Sequence, residues 1–444
     1  MYWKSYKIKA NAMTRELYVL LQDSKGSCRL LSSFAEDVQD PECLEKDAIH
    51  EAVEEAWIRG AYTPQGIKPH SILRIKSSAT GLLGVLVNNL DDYNTFYSYL
   101  KPLDQYFNKS VQGEGGYLTP PSEVDHIEYR TVTYVRAFDS YRSTSRTAKI
   151  GSSQDIVVYK GISFLDFLAF GEGRFREYVN AIYREHHLIS SVIPPHPNIM
   201  AAPKAYVTLD STFPDGSTVP RICGCIFPYY NNGSLAAVLN RSVEERTRIS
   251  LKRKAKWCYQ LVSAMAHVHF VASAWHQDLK PPNILIDDND DLLLIDWEQV
   301  GQGGFFIAPE SDGTFDVSTV EEDGGKQKLV YTRYEGPRRV NNTLSHPEWN
   351  VLPTWKEEHP KAVELAEVHS TGATLYLLLE QVRLVHVEGV SDYSAEEVRW
   401  SEWSDDIPQS WKESITKCRM LDPNERIGMM ELLEFWKTEY GKLS

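Results

Sequence analysis

Between about residues 128 and 230 apolar and polar positions alternate with period two. "EYRTVTYVRAF", "QDIVVYKGIS", "KAYVTLD" and "RICGCIFPYY" carry this pattern and predict strands. A single stretch, "FREYVNAIYREHHLISSV", breaks it with helical spacing. From residue 234 onward the helical period takes over. "KAKWCYQLVSAMAHVHFVASA" predicts a long amphipathic helix, and "AVELAEVHSTGATLYLLLEQV" one that is apolar along nearly all of one side. "SWKESITKCRM" and "RIGMMELLEFWKTEY" predict two more. A strand-rich half followed by a helix-rich half predicts an α+β chain of two lobes with a cleft between them.

Upstream the pattern is mixed. "LYVLLQDSKGSCRLL" predicts a hairpin turning at Asp23–Gly26, and "SILRIKSSATGLLGVLVNN" a second hairpin. "CLEKDAIHEAVEEAWIRG" predicts a helix ending near Gly60, and "YNTFYSYLKPLDQYF" a helix broken near Pro102. The Gly- and Pro-rich "KSVQGEGGYLTPPSEVD" (109–125) then marks a boundary. The expected organisation is an α+β segment at 1–123, a small lobe at 124–228 and a large lobe at 229–444. The first segment holds no recognisable chemistry and reads as a regulatory or interaction module.

Composition narrows the partners. The chain has 444 residues, 42% hydrophobic and 11% aromatic, which suits a folded protein of more than one domain. A formal charge of −14 argues against nucleic acid as the main partner. The six cysteines (Cys28, Cys43, Cys223, Cys225, Cys258, Cys418) have no metal-ligand spacing, and a reduced intracellular protein is expected. The opening residues "MYWKSYKIKA" lack the apolar stretch of a signal peptide, and the longest apolar runs are too short for a bilayer. A cytoplasmic or also nuclear location without membrane contact is the expectation.

The chemistry concentrates in "HQDLKPPNILIDDNDDLLLIDWEQ" (276–299). "NILID" and "DLLLID" are short apolar strands turning at "DDND", itself read as a turn in water. The hairpin holds Asn283 and Asp296 at one edge, and Asp278 sits five residues before Asn283. Three oxygen-bearing side chains near one point suit a hard divalent cation that keeps places for phosphate. Asp278 can accept a proton from a hydroxyl, and Lys280 can meet a transferred phosphoryl group as a point charge.

At these residues the chain resembles the protein kinases. "HQDLKPPN" is similar to their H-R-D-L-K-x-x-N loop and "LLLIDWE" to their D-F-G segment. The resemblance implies a bilobal protein-kinase-like fold with an extra N-terminal α+β segment. It implies an ATP- and Mg2+-dependent transfer of phosphate to Ser or Thr hydroxyls of a protein substrate. Asp278 is then the catalytic base, Lys280 steadies the γ-phosphate, and Asn283 and Asp296 hold Mg2+. "DIVVYKG" supplies Lys160 for the nucleotide phosphates, and "YREHHLISSVIPPHPNIM" supplies Glu185 as its ion-pair partner. In "CIFPYYNNGSL" Phe227 stands at the gatekeeper position, and the backbone around Tyr229 and Tyr230 meets adenine. "CRMLDPNERIGMMELL" offers Arg426 to the Glu of an A-P-E segment, for which "IAPES" supplies Glu310. The resemblance runs from about 126 to 440 and is similar to the divergent kinase-like proteins of filamentous fungi.

The pattern departs from the family in several places. No glycine-rich loop precedes Lys160; only Gly151 does, and Ser143 and Arg146 are candidate substitutes. Gln277 replaces the Arg that reads a phosphorylated activation loop. Trp297 and Glu298 follow Asp296 where the family has Phe-Gly, which predicts a segment locked in one position. Glu367 stands in "EVHSTGATLYLLL" where the family has Asp, which puts the usual anchoring of the catalytic loop in question. If Glu310 closes the activation segment, 311–355 is an insertion; if "HPEWN" (346–350) does, the segment is long; "LVYTRYEGPRR" in between, with Arg333, Arg338 and Arg339, reads as a solvated basic turn or a dock for an acidic peptide. Two alternatives stand beside the protein kinase: a pseudokinase scaffold, and a small-molecule kinase of the aminoglycoside and choline type, which "DWE" resembles. The N-terminal segment is expected to bind a regulator.

Overall fold

The structure is a computed structural model. It describes residues 3–4, 10–11, 14–23, 28–33, 71–77, 83–88, 125–137, 145–161, 181–212, 218–299, 304–322, 326–336, 351–383 and 399–443. The chain divides into two compact units, one of residues 1–180 with 203–228, the other of 181–202 with 229–444.

The first unit holds two sheets. Strands β1 (Trp3–Lys4), β2 (Ala10–Asn11), β3 (Thr14–Asp23), β4 (Cys28–Ser33), β5 (Ser71–Ser77) and β6 (Leu83–Asn88) form one, ordered β1-β4-β3-β5-β6 with β2 on β3. Both expected hairpins are there: β3 pairs antiparallel with β4, and β5 with β6. The helices expected at 43–60 and 93–107, and the boundary at 109–124, lie outside the described residues.

The second sheet contains β7 (Asp125–Glu128), β8 (Val132–Ala137), β9 (Ser145–Ile150), β10 (Val157–Gly161), β11 (Ala205–Thr212) and β12 (Thr218–Pro228), in the order β7-β11-β12-β10-β9-β8. All its pairings are antiparallel except β7 on β11. Lys160 lies opposite Cys225 on one side and Ser145 on the other. Tyr159 sets this register. Its ring is fully buried, and its hydroxyl donates to the Cys223 carbonyl at 3.1 Å. Gly161 and Gly224 face each other across the ladder, and a Cβ on Gly161 would lie 2.5 Å from the Gly224 Cα. The two glycines leave the room that the Tyr159 ring occupies.

The second unit begins with α1 (residues 181–187), whose last turn widens into a π turn at Leu188–Val192. α2 (Leu235–Glu244) and α3 (Leu251–Phe270) are each capped by a serine: Ser234 Oγ accepts from Ala237 N–H, and Ser250 Oγ from Arg253 N–H. The short hairpin of β13 (Ile284–Ile286) and β14 (Leu292–Leu294) follows, as expected. After it come a longer hairpin, β15 (Phe315–Glu322) with β16 (Lys326–Arg333), and then α4 (Leu352–Glu358), α5 (Pro360–Glu380), α6 (Gln409–Cys418) and α7 (Met429–Gly441).

Three expectations are corrected here. α5 is not apolar along one side only; it is buried nearly all round. Its polar residues serve as attachment points: Ser370 Oγ donates to the Phe306 carbonyl at 2.8 Å, and Glu364 Oε1 accepts from the Met429 N–H at 2.9 Å. The "DDND" turn is not merely solvated. Arg253 Nε grips Asp290 at 2.8 and 2.9 Å, Lys256 meets Asp291 at 2.9 Å, and Asp287 Oδ1 accepts two N–H groups of its own turn. "LVYTR" is the second half of strand β16 rather than a basic turn, with Leu329 in a core formed with Val351, Trp355 and Val363. Arg338, Arg339 and "HPEWN" lie outside the described residues. Among the described residues, no helix is long and apolar enough to cross a membrane.

The Gly161–Gly224 contact generates a prediction. In Gly224→Ala the new methyl would meet the Tyr159 ring at 2.6 Å and the Lys160 carbonyl at 2.8 Å. Overpacking of this kind costs ~1–3 kcal/mol. Thermal denaturation should show a clear drop in Tm; an unchanged Tm would contradict the packing described.

Candidate active site

The loop from His276 to Asn283 is hung from α5. Glu367 Oε1 accepts the backbone N–H of His276 at 2.8 Å and of Gln277 at 2.6 Å. Its Oε2 lies 2.8 Å from His269 Nε2 on α3. Burial pushes the Glu367 carboxyl up, but the hydrogen bonds from His269 and the Gln277 backbone outweigh it and hold the group below its ordinary range. The Glu in place of Asp therefore preserves the anchoring. Gln277 adopts φ 72°, a left-handed conformation costly for any residue with a Cβ.

His276 ties this loop to the next segment. Its Nδ1 accepts the Asp278 N–H at 3.3 Å and its Nε2 faces the Ile295 carbonyl at 2.9 Å. One neutral tautomer, protonated at Nε2, satisfies both contacts. Complete burial lowers the pKa of His276 and agrees with that form.

Asp278 is buried, and one of its oxygens is held twice. Lys280 Nζ lies 2.7 Å from Oδ2, and Asn283 Nδ2 donates to the same atom at 3.0 Å. Asn283 Nδ2 also donates to the Asp278 carbonyl at 2.8 Å, so its Oδ1 is the atom it offers a cation. Desolvation pushes the Asp278 carboxyl up to about 7, with the charge of Asp296 in the same direction and Lys280 and Asn283 opposing. A carboxyl titrating near neutrality is suited to exchanging a proton.

Asp296 also takes a left-handed backbone, φ 70°. Trp297 is fully buried and its ring lies 4.5 Å from that of His276. The Trp297 N–H donates to Glu185 Oε1 at 3.4 Å. Carboxylate oxygens of Glu185, Asp296 and Glu298 all lie within 4.8 Å of one another. Hard oxygen donors in this number fit a divalent cation such as Mg2+. Glu298 was not among the expected ligands. The left-handed backbone at Asp296, which the sequence does not show, is part of what brings the Asp296 and Glu298 side chains together. Arg184 Nη1 secures this stretch by donating to the Glu298 carbonyl at 3.0 Å.

The remaining expected residues divide between the units. Lys160 is buried on β10, and Phe227 is buried on β12, both in the first unit. Tyr229 and Tyr230 open the second stretch of the second unit, with Tyr229 exposed. Burial and the charges of Asp287 and Asp288 push the Tyr230 hydroxyl up. Gly151 sits in the turn after β9 with φ 55°, where its N–H donates to the Thr131 carbonyl at 2.8 Å. Arg146 is on β9, and Ser143 lies outside the described residues.

Glu310 and Arg426 pair as expected. Arg426 Nη1 meets Oε1 at 2.5 Å and Nη2 meets Oε2 at 2.8 Å, in a buried two-pronged contact. Ala308, Leu329 and Trp355 share one core, so the β15–β16 hairpin packs beside the chain leading into Glu310. Asn424, two residues before Arg426, clamps β16: its Oδ1 accepts the Leu329 N–H at 3.2 Å and its Nδ2 donates to the Leu329 carbonyl at 3.0 Å.

Comparison with known proteins agrees with this geometry. A family model, the protein kinase domain, matches residues 154–304. The chain is similar to CBL-interacting serine/threonine-protein kinase 20 of Arabidopsis thaliana, 26% identical over 183 residues, which is 40% of this chain and 34% of that one. It is 40% identical over 82 residues to the probable serine/threonine-protein kinase KIN1 homolog of Enterocytozoon bieneusi, covering 18% and 13%. It is 32% identical over 101 residues to L-type lectin-domain containing receptor kinase V.5 of Arabidopsis thaliana, covering 22% and 14%. The matched segments thus span between 13% and 34% of these relatives' own lengths.

The Glu310–Arg426 pair allows a stability test. Arg426→Ala leaves a buried carboxylate uncompensated, which costs ~3–5 kcal/mol. Denaturant unfolding should show that loss, and the double variant Glu310→Gln/Arg426→Met should recover part of it. A loss below ~1 kcal/mol for Arg426→Ala would contradict a buried pair, since that is the range of an exposed one.

Proposed function

Because this chain belongs to the protein-kinase-like superfamily, we propose that it transfers the γ-phosphoryl group of ATP to Ser or Thr hydroxyls of a protein substrate. The observation that carries this reading is the Asp278 carboxyl, buried, with one oxygen held by Lys280 and Asn283 and its pKa pushed up to about 7 by burial. The acceptor oxygen bonds to the γ-phosphorus, the bond to the β–γ bridging oxygen breaks, and ADP departs. Asp278 takes the acceptor's proton. Lys280 carries positive charge to the transferred group, where preorganised charge is worth most. Lys160 is assigned to the α- and β-phosphates. Asn283 and Asp296 hold Mg2+, bordered by the Glu298 carboxylate. The bound cation supplies neutralisation of the phosphate charge. Phe227, Tyr229 and Tyr230 contribute to the nucleotide pocket. We place the protein in the cytoplasm, with residues 1–123 receiving a regulator.

The small-molecule kinase remains the rival because Asp296-Trp297-Glu298 suits it. Lys280 at the Asp278 carboxylate and the Glu310–Arg426 pair support the protein kinase reading over it. The pseudokinase draws on the absence of a glycine-rich run before Lys160.

Radiolabelled ATP with generic protein acceptors is the direct test. Wild type should transfer label, the rate should climb as pH rises through about 7 where Asp278 loses its proton, and Asp278→Asn should cost ~10²-fold or more. Failure of wild type with both Mg2+ and Mn2+ across many acceptors would overturn the proposal. Thermal denaturation separates the pseudokinase: ATP with Mg2+ should raise Tm by more than roughly 3 °C, because a bound ligand stabilises by mass action. Asp296→Asn should erase the shift, and no shift in wild type would favour the scaffold.

A further inference from the structure

The chain from Asp296 to Glu310 contains no Ser, Thr or Tyr. No side chain in it can receive a phosphate ester, so other contacts must place it against the loop that carries Asp278. Its far end is fixed by Arg426 on Glu310, by Ser370 Oγ on the Phe306 carbonyl at 2.8 Å and by Arg419 Nη1 on the Phe305 carbonyl at 3.2 Å. Its near end is fixed at Gln299.

Gln299 is 5% exposed and its backbone is left-handed, φ 54°. Its Nε2 donates to the Trp275 carbonyl at 2.8 Å. The Trp275 indole N–H in turn reaches Gln277 Oε1 at 3.4 Å, and Gln277 is 2% exposed with φ 72°. Two amides and one indole therefore join the residue just after Asp296-Trp297-Glu298 to the residue just before Asp278. The Trp275 ring packs beside the core of Ala308, Leu329 and Trp355, so the β15–β16 insertion backs this connection from behind. Left-handed backbone at a residue with a Cβ costs ~1–2 kcal/mol. Three such residues, Gln277, Asp296 and Gln299, persist together only where the surroundings hold each of them. All the linking groups are neutral, so neither ionic strength nor pH in the ordinary range alters them.

We propose that Gln299 is a positioning residue: through the half-buried Trp275 and the buried Gln277 it holds the segment after Asp296 against the Asp278 loop by an uncharged relay that requires no phosphorylation. The proposal rests on the phosphotransferase reading for its catalytic consequence, not for its structure.

The test uses the full chain with Gln299→Met, which keeps length and removes the donor, and Trp275→Phe, which removes the indole N–H together with the pyrrole part of the ring. Two measurements are made: transfer kinetics at varied ATP, at low and high salt, and hydrogen exchange of the peptide covering 276–283. Gln299→Met should lower kcat about tenfold, the scale of one buried hydrogen bond with its partner left unsatisfied. KM for ATP should stay within about twofold, as no ATP contact is removed, and the ratio to wild type should be the same at both salt levels. Exchange at 276–283 should accelerate in Gln299→Met and, to a smaller degree, in Trp275→Phe. Wild-type kcat and wild-type exchange in Gln299→Met would overturn the relay. If Gln299→Met does not fold, the exchange of Trp275→Phe decides: faster supports the relay, unchanged overturns it. If wild type transfers no phosphate at all, the phosphotransferase reading fails by itself, and the exchange data alone uphold or overturn the relay.

Discussion

One carboxylate holds the candidate site together. Glu367, deep inside α5, accepts the N–H groups of His276 and Gln277 and faces His269 with its other oxygen. A buried acid without partners is expensive, and a left-handed glutamine is unfavourable by itself. Together each removes the other's cost: the turned backbone presents two donors to one oxygen, and the charge gains the hydrogen bonds that burial would otherwise deny it. The turn then aims Asp278, Lys280 and Asn283 at one point, and His276 passes the constraint to the Ile295 carbonyl just before Asp296. Without Glu367 the polar groups would still be present in the sequence but would have no reason to converge.

This explains why some departures from the family pattern matter less than their residue types suggest. Glu for Asp at 367 adds a methylene, yet the contact to the loop is made, and His269 occupies the second oxygen. Trp297 fills a buried slot against His276 without a glycine after it, because Asp296 itself carries the positive φ. Gln277 does not simply lose a charge; it enters an uncharged link to Trp275. The stretch from Asp296 to Glu310 is held at Gln299 and again at Phe305, Phe306 and Glu310.

Much of this was legible in the sequence, for identifiable reasons. Asp278, Asn283 and Asp296 are close in the chain, and two apolar strands between the last two leave little choice but a hairpin that brings them together. Arg426 was found because its neighbours form a recognisable run, and Glu310 because a short motif preceded it. What was not legible depends on contacts between distant positions. The resemblance marks Glu367 as the loop-anchoring position, but does not show that its longer side chain still reaches the N–H groups of His276 and Gln277 about ninety residues away. The polar residues of α5 look like an exposed face until other elements close over them. Asp290 and Asp291 look solvated until Arg253, Lys256 and Gln260, on a helix more than thirty residues earlier, reach them. Glu298 joins Glu185 and Asp296 only through the left-handed turn at Asp296, which no residue pattern announces. Lys160 was legible as a strand lysine, and its placement on β10 agrees.

The account's central claim is that the loop hung from Glu367 and the turned Asp296 form one cation and nucleotide site. Crystals of the full chain grown with a non-hydrolysable ATP analogue and Mn2+ test it most directly, since anomalous scattering locates the metal without assumption. The account predicts a manganese peak in contact with Asp296 and the Asn283 amide oxygen, with the terminal phosphate facing Asp278 and Lys280. Nucleotide bound with no metal at those two residues, or metal bound elsewhere, would contradict it.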